Sequence, residues 1–252
     1  MTKTTKLPGR FIFKTYLRSF ALQGSWNFER LQGLGALYVM TPVLAYFYQG
    51  ADRLAAFRRH LGYFNTHPFL ATSVFGTAIH YEERAAAGLG TEANFNDYRQ
   101  MVMAPYAAMG DALFWGGLRP LAAGMALFFA VADSPWAPVV FLLVFNLPHL
   151  WFRWNAFSQG FRNGFDSIEL VQKLRLPDLA IRFKEGTVIL LGGLCAYLLF
   201  VELGNKSLSP VWAFRCLPVI YLLGWLSRKG VSTLLLVWTV VTVTTMTIVM
   251  AF

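Results

Sequence analysis

Charged residues are scarce in this chain of 252 residues. Asp, Glu, Lys and Arg together make up 14% of the sequence, whereas hydrophobic residues make up 56%. A typical soluble domain devotes about a quarter of its residues to charged side chains, which give it a hydrated surface. The composition therefore excludes an ordinary soluble domain and predicts a membrane protein.

Cysteine and the usual enzyme motifs are also nearly absent. Cys195 and Cys216 lie in apolar runs, without a His or a further Cys at ligand spacing, which is typical of small core residues. The sequence contains no P-loop, Gly-rich dinucleotide fingerprint, Ser/His/Asp arrangement or nucleic-acid-binding motif. We therefore expect no metal, no cofactor, no catalytic nucleophile and no nucleic-acid partner.

Long apolar runs are concentrated in the C-terminal part of the chain. A transmembrane helix needs about 20 apolar residues, and about 17 can suffice. Three runs approach or exceed this length: Thr187–Leu203, Val211–Leu226 and Val231–Phe252. Upstream, Leu121–Val131 and Trp136–Phe152 flank a turn at 132–135 and predict a helical hairpin. The pattern indicates an all-α polytopic membrane protein with about five transmembrane helices.

The distribution of basic residues predicts an orientation. Residues 153–186 carry six Lys or Arg and the turn at 227–230 is also basic, whereas the turn at 132–135 has neither residue type. Basic loops are retained on the cytoplasmic side of a membrane. We therefore interpret 153–186 as a cytoplasmic loop, and expect a cytoplasmic N-terminus and a periplasmic C-terminus.

Residues 1–20 read as a cytoplasmic tail followed by an amphipathic helix in the membrane interface. Arg10, Lys14 and Arg18 recur every four residues on one face, and Phe13, Tyr16, Leu17 and Phe20 mark another. An interfacial helix has this pattern. The alternative is an amphipathic helix that packs on a core.

Residues 21–120 contain apolar runs that are short or interrupted. Phe69–Tyr81 is too short to span a membrane; the Asn65-Thr66-His67 segment and Pro68 mark its predicted helical start, and Gly88 its stop. Met101–Leu118 is interrupted by Pro105, Gly110 and the Gly116-Gly117 pair. Such segments are typical of re-entrant or broken helices around a polar site. We place the main transmembrane region in 121–252.

Three segments of the N-terminal half resemble the signatures of one family. Arg18–Arg30, Arg59–Phe69 and Gly110–Pro120 resemble, in this order, signatures of the IID membrane subunit of mannose/fructose/sorbose-family phosphotransferase systems (PTS). A weaker fourth signature is similar to Arg153-Trp154 with Gly160 and Gly164. One departure lies at 104–111, where the family usually shows Gly-Pro-Leu-Ala-Gly-Ile-Gly-Asp and this chain has Ala-Pro-Tyr-Ala-Ala-Met-Gly-Asp.

The resemblance implies a function and a set of partners. IID subunits pair with a IIC subunit, as a trimer of IIC/IID heterodimers in the bacterial inner membrane among its lipids. Together they translocate a hexose such as mannose, which the soluble subunits IIB and IIA phosphorylate, and the membrane subunits are not themselves phosphorylated. The basic 153–186 loop is then a candidate docking surface for IIB, although contact with lipid explains it equally well. The alternative is a non-transporting module that senses sugar or anchors a IIB-like partner.

Seven polar or aromatic residues of these segments are candidates for binding the sugar. They are Asp111, Asn65, His67, Trp115, Gln23, Asn27 and Glu82. A carboxylate at membrane depth is costly, which favours Asp111 as an acceptor for sugar hydroxyls, but Asp111 could equally cap a helix that starts after Gly110. Trp115 could stack on a sugar or lie at the membrane interface. Glu82 could lie at the mouth of the site or simply in water.

Overall fold

The computed structural model describes residues 6–89, 92–207 and 209–251. Within these ranges the chain is helical and no β-strand is present, so the predicted all-α fold is confirmed. The described α-helices are α1 Gly9–Arg18, α2 Gly33–Phe47, α3 Gly50–His60, α4 Ala71–Ala86, α5 Glu92–Gly110, α6 Arg119–Val131, α7 Ala137–Asn163, α8 Ser167–Lys173, α9 Leu176–Asn205, α10 Leu217–Arg228 and α11 Thr233–Ala251. Short 3-10 helices cover Ser19–Ser25, Gly164–Asp166 and Pro210–Cys216.

Four stretches of the described chain are long and apolar enough to cross a membrane. They are Phe95–Val131, Ala137–Glu169, Val171–Asn205 and Thr233–Met250. The predicted polytopic architecture is therefore confirmed, including the hairpin of α6 and α7. The expected span at Val211–Leu226 is instead divided between a 3-10 helix and α10, and α10 has only 12 residues.

The predicted break between residues 101 and 118 is wrong. α5 continues directly into a π-helix, Asp111–Leu118, which continues into α6. Pro105 lies inside α5, and the Gly116-Gly117 pair lies inside the π-helix. A π-helical segment absorbs an irregularity by widening the turn without ending the helix, and such segments are frequent at functional sites.

α1 shows the predicted amphipathic character. Tyr16 is buried, whereas the side chains of Phe13 and Leu17 remain about half exposed. Tyr16 packs edge-on against Trp154 of α7, with ring centroids 4.9 Å apart. One face of the helix therefore packs on the protein, and a second apolar face is left uncovered.

α4 is the most buried helix of the N-terminal half. It begins at Ala71 and not at the predicted Pro68, and no side chain caps its first turn. The backbone carbonyl of His67 instead accepts the N–H groups of Leu70 and Ala71, at 3.0 and 2.9 Å. At the other end Gly88 has φ +74°, which confirms the predicted glycine stop.

α4 crosses α7 at very short range. A Cβ atom at Gly76 would lie 2.1 Å from the carbonyl oxygen of Phe157, and one at Gly160 would lie 2.2 Å from the carbonyl oxygen of Ser73. Only glycine allows two helix backbones to approach this closely. The crossing fixes the N-terminal end of α4 against α7, and the candidate site lies beside this end.

The interpretation of 153–186 as a loop is wrong. α7 extends to Asn163 and α9 begins at Leu176, with the short α8 between them. Arg153 lies inside α7 and is buried. Chain contacts also divide the molecule into two compact units between Leu191 and Gly192, and the candidate site lies in the first unit.

Candidate functional site

Gln32, two residues after the first signature segment, connects this part of the chain to the second signature segment. Its side-chain Nε2 donates to the carbonyl of Thr66 at 2.8 Å, and its Oε1 accepts the N–H of Thr66 at 3.0 Å. The backbone adds a further bond from the N–H of Gln32 to the carbonyl of Phe64, at 2.8 Å. A single buried amide therefore fixes the segment that leads into His67.

His67 is held in one orientation and has one free nitrogen. Its Nδ1 accepts the N–H of Phe69 at 3.2 Å, so in the neutral ring the proton is on Nε2. The residue is 2% exposed, and its Nε2 has no hydrogen-bond partner among the described residues. Burial, together with the charge of Arg153 and with His149, lowers the pKa of His67 to about 4. His67 is therefore neutral near pH 7 and presents an N–H donor.

Gly110 makes this arrangement possible. A Cβ atom at this position would lie 2.2 Å from Cγ of His67, so the imidazole lies directly against the helix backbone. Phe114 stacks on the same imidazole, with centroids 5.2 Å apart. The third signature segment thus forms the wall on which His67 rests.

Asp111 lies opposite the free nitrogen of His67. Its Oδ1 is 4.0 Å from His67 Nε2, and its side chain is 63% exposed. The alternative role as a helix cap is wrong, because Gly110 is itself helical and the helix runs through Asp111 without a start. The carboxylate therefore remains available to a ligand.

Trp115 completes an aromatic wall beside this pair. Its ring lies 5.1 Å from His67 and 5.5 Å from Phe69, and it stacks on Phe145 of α7 at 6.2 Å. The guanidinium of Arg119 lies 5.8 Å above the Trp115 ring. Trp115 is partly exposed, so one part of the indole can contact a ligand.

Arg153 is a residue of this region that sequence reasoning misplaced. It is 4% exposed, it donates to Ser19 Oγ at 3.1 Å, and its guanidinium lies 3.8 Å from the ring of Phe20 and 5.5 Å from the ring of Phe69. Its Nε has no hydrogen-bond partner among the described residues. Arg153 belongs to the weak fourth signature, and this could have indicated a role at the site. The prediction of a cytoplasmic loop at 153–186 placed it elsewhere.

These contacts bring all four signature segments together. A family model described as the PTS system mannose/fructose/sorbose family IID component matches residues 6–252. The chain belongs to this family. It is a IID component and a membrane protein, as the signatures predicted.

Named relatives and solved structures agree with the family match. The mannose-specific EIID component of Escherichia coli K12 is 37% identical over 174 residues, which are 67% of this chain and 62% of that protein. The match thus spans less than two thirds of that relative. The fructose permease IID component of Bacillus subtilis is 30% identical over 94% of both chains. A cryo-EM structure of the mannose transporter ManYZ with microcin E492 aligns with TM-score 0.62 and 27% identity, covering 88% of this chain and 97% of that one.

Glu82 of this IID chain lies apart from the His67–Asp111 pair. It accepts hydrogen bonds from Tyr48 at 2.6 Å and Arg59 at 3.0 Å, and lies 2.7 Å from His60 Nε2. Burial would raise its pKa, but the hydrogen bonds and charges of these partners lower the pKa of Glu82 to about 2. The alternative of a carboxylate in water is wrong, since the residue is 4% exposed. Glu82 lies about three turns, or ~16 Å, beyond the start of α4, and so apart from the site beside that start.

The remaining candidates have separate positions. Gln23 is exposed on the 3-10 helix. Asn27 stabilises a turn, because its Oδ1 accepts the N–H of Arg30 at 2.9 Å. Asn65 is half-buried in the segment that contains His67. The structure therefore brings together three of the seven candidates, His67, Asp111 and Trp115. Within the described ranges no group of His, Cys, Asp and Glu could hold a metal ion.

Proposed function

We propose that this IID component forms, together with a IIC subunit, the channel through which a hexose such as mannose crosses the membrane. Phosphorylation of the sugar by phospho-IIB, itself loaded by IIA, completes the process. Relatives named for mannose, sorbose and fructose support this assignment, as does the likeness to a mannose transporter. The non-transporting alternative is not favoured by these matches.

The observation that carries the proposal is the gap between His67 Nε2 and Asp111 Oδ1, which measures 4.0 Å. A sugar hydroxyl both donates and accepts hydrogen bonds. An oxygen ~2.8 Å from both atoms would accept from the imidazole N–H and donate to the carboxylate. Because His67 Nε2 is buried, the side chains around it must move to admit the hydroxyl. The exposed part of Trp115 would then lie beside the sugar ring, in the combination of few polar groups and aromatic walls that is typical of small-ligand sites.

Asn65, Gln23 and Asn27 contribute less directly to the proposed site. Asn65 is close enough in sequence to His67 to add a further amide, whereas Asn27 acts through the turn that it closes. Glu82 supports the site from a distance by fixing α4 to α2 and α3. The chain contributes positioning and charge, and these are the main requirements of phosphoryl transfer.

The assembly and its orientation belong to the same proposal. We place the complex in the bacterial inner membrane, with the N-terminus cytoplasmic and the IIC/IID pairs in a trimer. The proposed periplasmic C-terminus requires an odd number of crossings, so the 3-10 helix Pro210–Cys216 and α10 would together form a fifth span beside the four long stretches. Residues 1–20 serve as the interfacial segment, 21–120 carry the sugar site and 121–252 provide the main spans. Lys173 and Arg175 then lie in the cytoplasmic turn between α7 and α9, where IIB could dock.

The experiment is hexose uptake by cells that co-express this chain with its IIC, IIB and IIA partners. Asp111→Asn keeps the shape of the side chain but removes its charge, and we expect uptake to fall at least tenfold with normal membrane levels. Asp133→Asn is the matched control, because Asp133 lies in the exposed turn between α6 and α7. Full uptake by Asp111→Asn would exclude the proposed site, and no hexose uptake by the wild-type complex would exclude transport.

A further inference from the structure

The basic face of α1 carries charge that the protein does not neutralise. Lys14 and Arg18 are one helical turn apart, so both point to the same side of α1. Among the described side chains no Asp or Glu forms an ion pair with either residue. The nearby Arg10 adds a third positive charge to this face.

This face borders an open groove between α1 and α2. The groove has a volume of about 440 Å³ and is lined by Lys14 and Arg18 from one side and by Thr41, Tyr46 and Gln49 from the other. No acidic residue lines it. Arg18 is held in place, because it donates to the carbonyl of Tyr38 at 3.0 Å and lies 4.5 Å from the Tyr38 ring. The groove therefore presents one donor group that is held by the protein, on Arg18, and one that is exposed, on Lys14.

An uncovered apolar face lies beside the basic face. Phe13 is 53% exposed and Leu17 is 51% exposed, and each precedes one of the two cations in sequence. A helix with this arrangement inserts its apolar face among acyl chains and holds its cations at the level of the headgroups. The groove then opens where lipid phosphates are concentrated.

We propose that the α1–α2 groove binds the headgroup of an anionic phospholipid, with Lys14 and Arg18 contacting its phosphate. Guanidinium and ammonium groups are the side chains that recognise phosphate, and basic pockets between membrane helices bind anionic headgroups. The acyl chains of the same lipid lie against Phe13 and Leu17. This site is separate from the sugar site and does not depend on the proposed transport function.

Native mass spectrometry of the full-length chain, purified with its membrane partners, tests this site. The complex is titrated with dioleoylphosphatidylglycerol and, in parallel, with the zwitterionic dioleoylphosphatidylcholine. We expect retained phosphatidylglycerol adducts, and about fivefold weaker binding in Lys14→Gln, the effect of one basic residue near an anionic surface. Lys14→Arg keeps the charge and retains the wild-type affinity.

Two further variants separate the site from general charge effects. Lys14→Gln combined with Arg18→Gln weakens binding more than tenfold, whereas Lys173→Gln removes an equal single charge elsewhere and leaves binding unchanged. Equal binding of both lipids, or wild-type affinity in Lys14→Gln, would overturn the proposal. Displacement of the lipid by millimolar inorganic phosphate would instead show a site for free phosphate, and absence of phosphatidylglycerol adducts in the complex would also overturn the proposal.

Discussion

The close crossing of α4 and α7 gives a quantitative test of the fold. Replacing Gly160 by Ala would place a Cβ atom 2.2 Å from the carbonyl oxygen of Ser73, whereas ordinary contact begins at 3.4 Å. Because backbone atoms cannot turn away as a side chain does, the two helices would have to separate by about 1 Å. The seam includes the contacts of Gly76 with Phe157, so the separation would loosen them as well.

The expected cost follows from two opposing effects. Overpacking a well-packed contact costs about 1–3 kcal/mol, and a clash with backbone lies at the upper end of that range. Exchange of Gly for Ala inside a helix returns about 1 kcal/mol. We therefore expect Gly160→Ala to lower the free energy of unfolding by about 2 kcal/mol, which corresponds to a melting temperature lower by roughly 4–8 °C for a chain of this size.

Thermal unfolding of the purified protein in detergent measures this difference. Gly192→Ala is the matched control, since no atom lies within 4 Å of a Cβ at this helical position, and we expect its melting temperature to be equal or higher. If Gly160→Ala is as stable as Gly192→Ala, the helices do not approach as closely as described. The double variant with Gly76→Ala should cost less than the sum of the two single changes, because both act on one seam.

Three further predictions concern the site and its surroundings. Gly110→Ala should displace His67 and reduce hexose uptake at least tenfold without lowering membrane levels; unchanged uptake would show that the imidazole position is irrelevant. Arg153→Met removes a positive charge that lowers the pKa of His67, so that pKa should rise from about 4 towards its ordinary value in NMR titrations of labelled histidine, and an unchanged pKa would argue against the coupling. The free energy of unfolding should fall in two pH ranges as the pH is lowered. His67 and Glu82 both have a lower pKa in the folded protein than in the unfolded chain, so the unfolded chain binds their protons at higher pH and is favoured. For His67 the loss runs from about pH 6.5 to 4, and for Glu82 from about pH 4.5 to 2. The second loss should be absent in Glu82→Gln, which should itself be less stable by about 3 kcal/mol at pH 7; persistence of that loss would assign it to other groups.

Composition and periodicity were sufficient to predict the all-α membrane fold class and several of its helices. Apolar run length identified the hairpin of α6 and α7 and the last span, α11, because both signals are local to one segment. The four-residue spacing of Arg10, Lys14 and Arg18 likewise predicted α1. The signature segments placed His67, Asp111 and Trp115 among the candidates before any contact was known.

The remainder depended on contacts between distant segments. Gly and Pro in 101–118 predicted a break, but the helix is continuous and contains a π-helical segment. Gly110 packs on His67 and Gly117 on Phe183, and these contacts are with segments distant in sequence. The six basic residues of 153–186 predicted a loop. The burial of Arg153 could not be predicted, because Phe20 and Phe69, which lie against its guanidinium, belong to segments more than 80 residues away. Glu82 was a candidate for the sugar site, and its burial against Tyr48 and His60 could not be predicted because both residues are remote from it in sequence.

Equilibrium binding of a radiolabelled hexose to the purified IIC–IID complex tests the central claim most directly. The account predicts that wild type and Asp133→Asn bind mannose or a related hexose with equal affinity, whereas Asp111→Asn binds at least tenfold more weakly, since the carboxylate accepts from a sugar hydroxyl. Equal affinity of all three proteins would contradict a sugar site between His67 and Asp111.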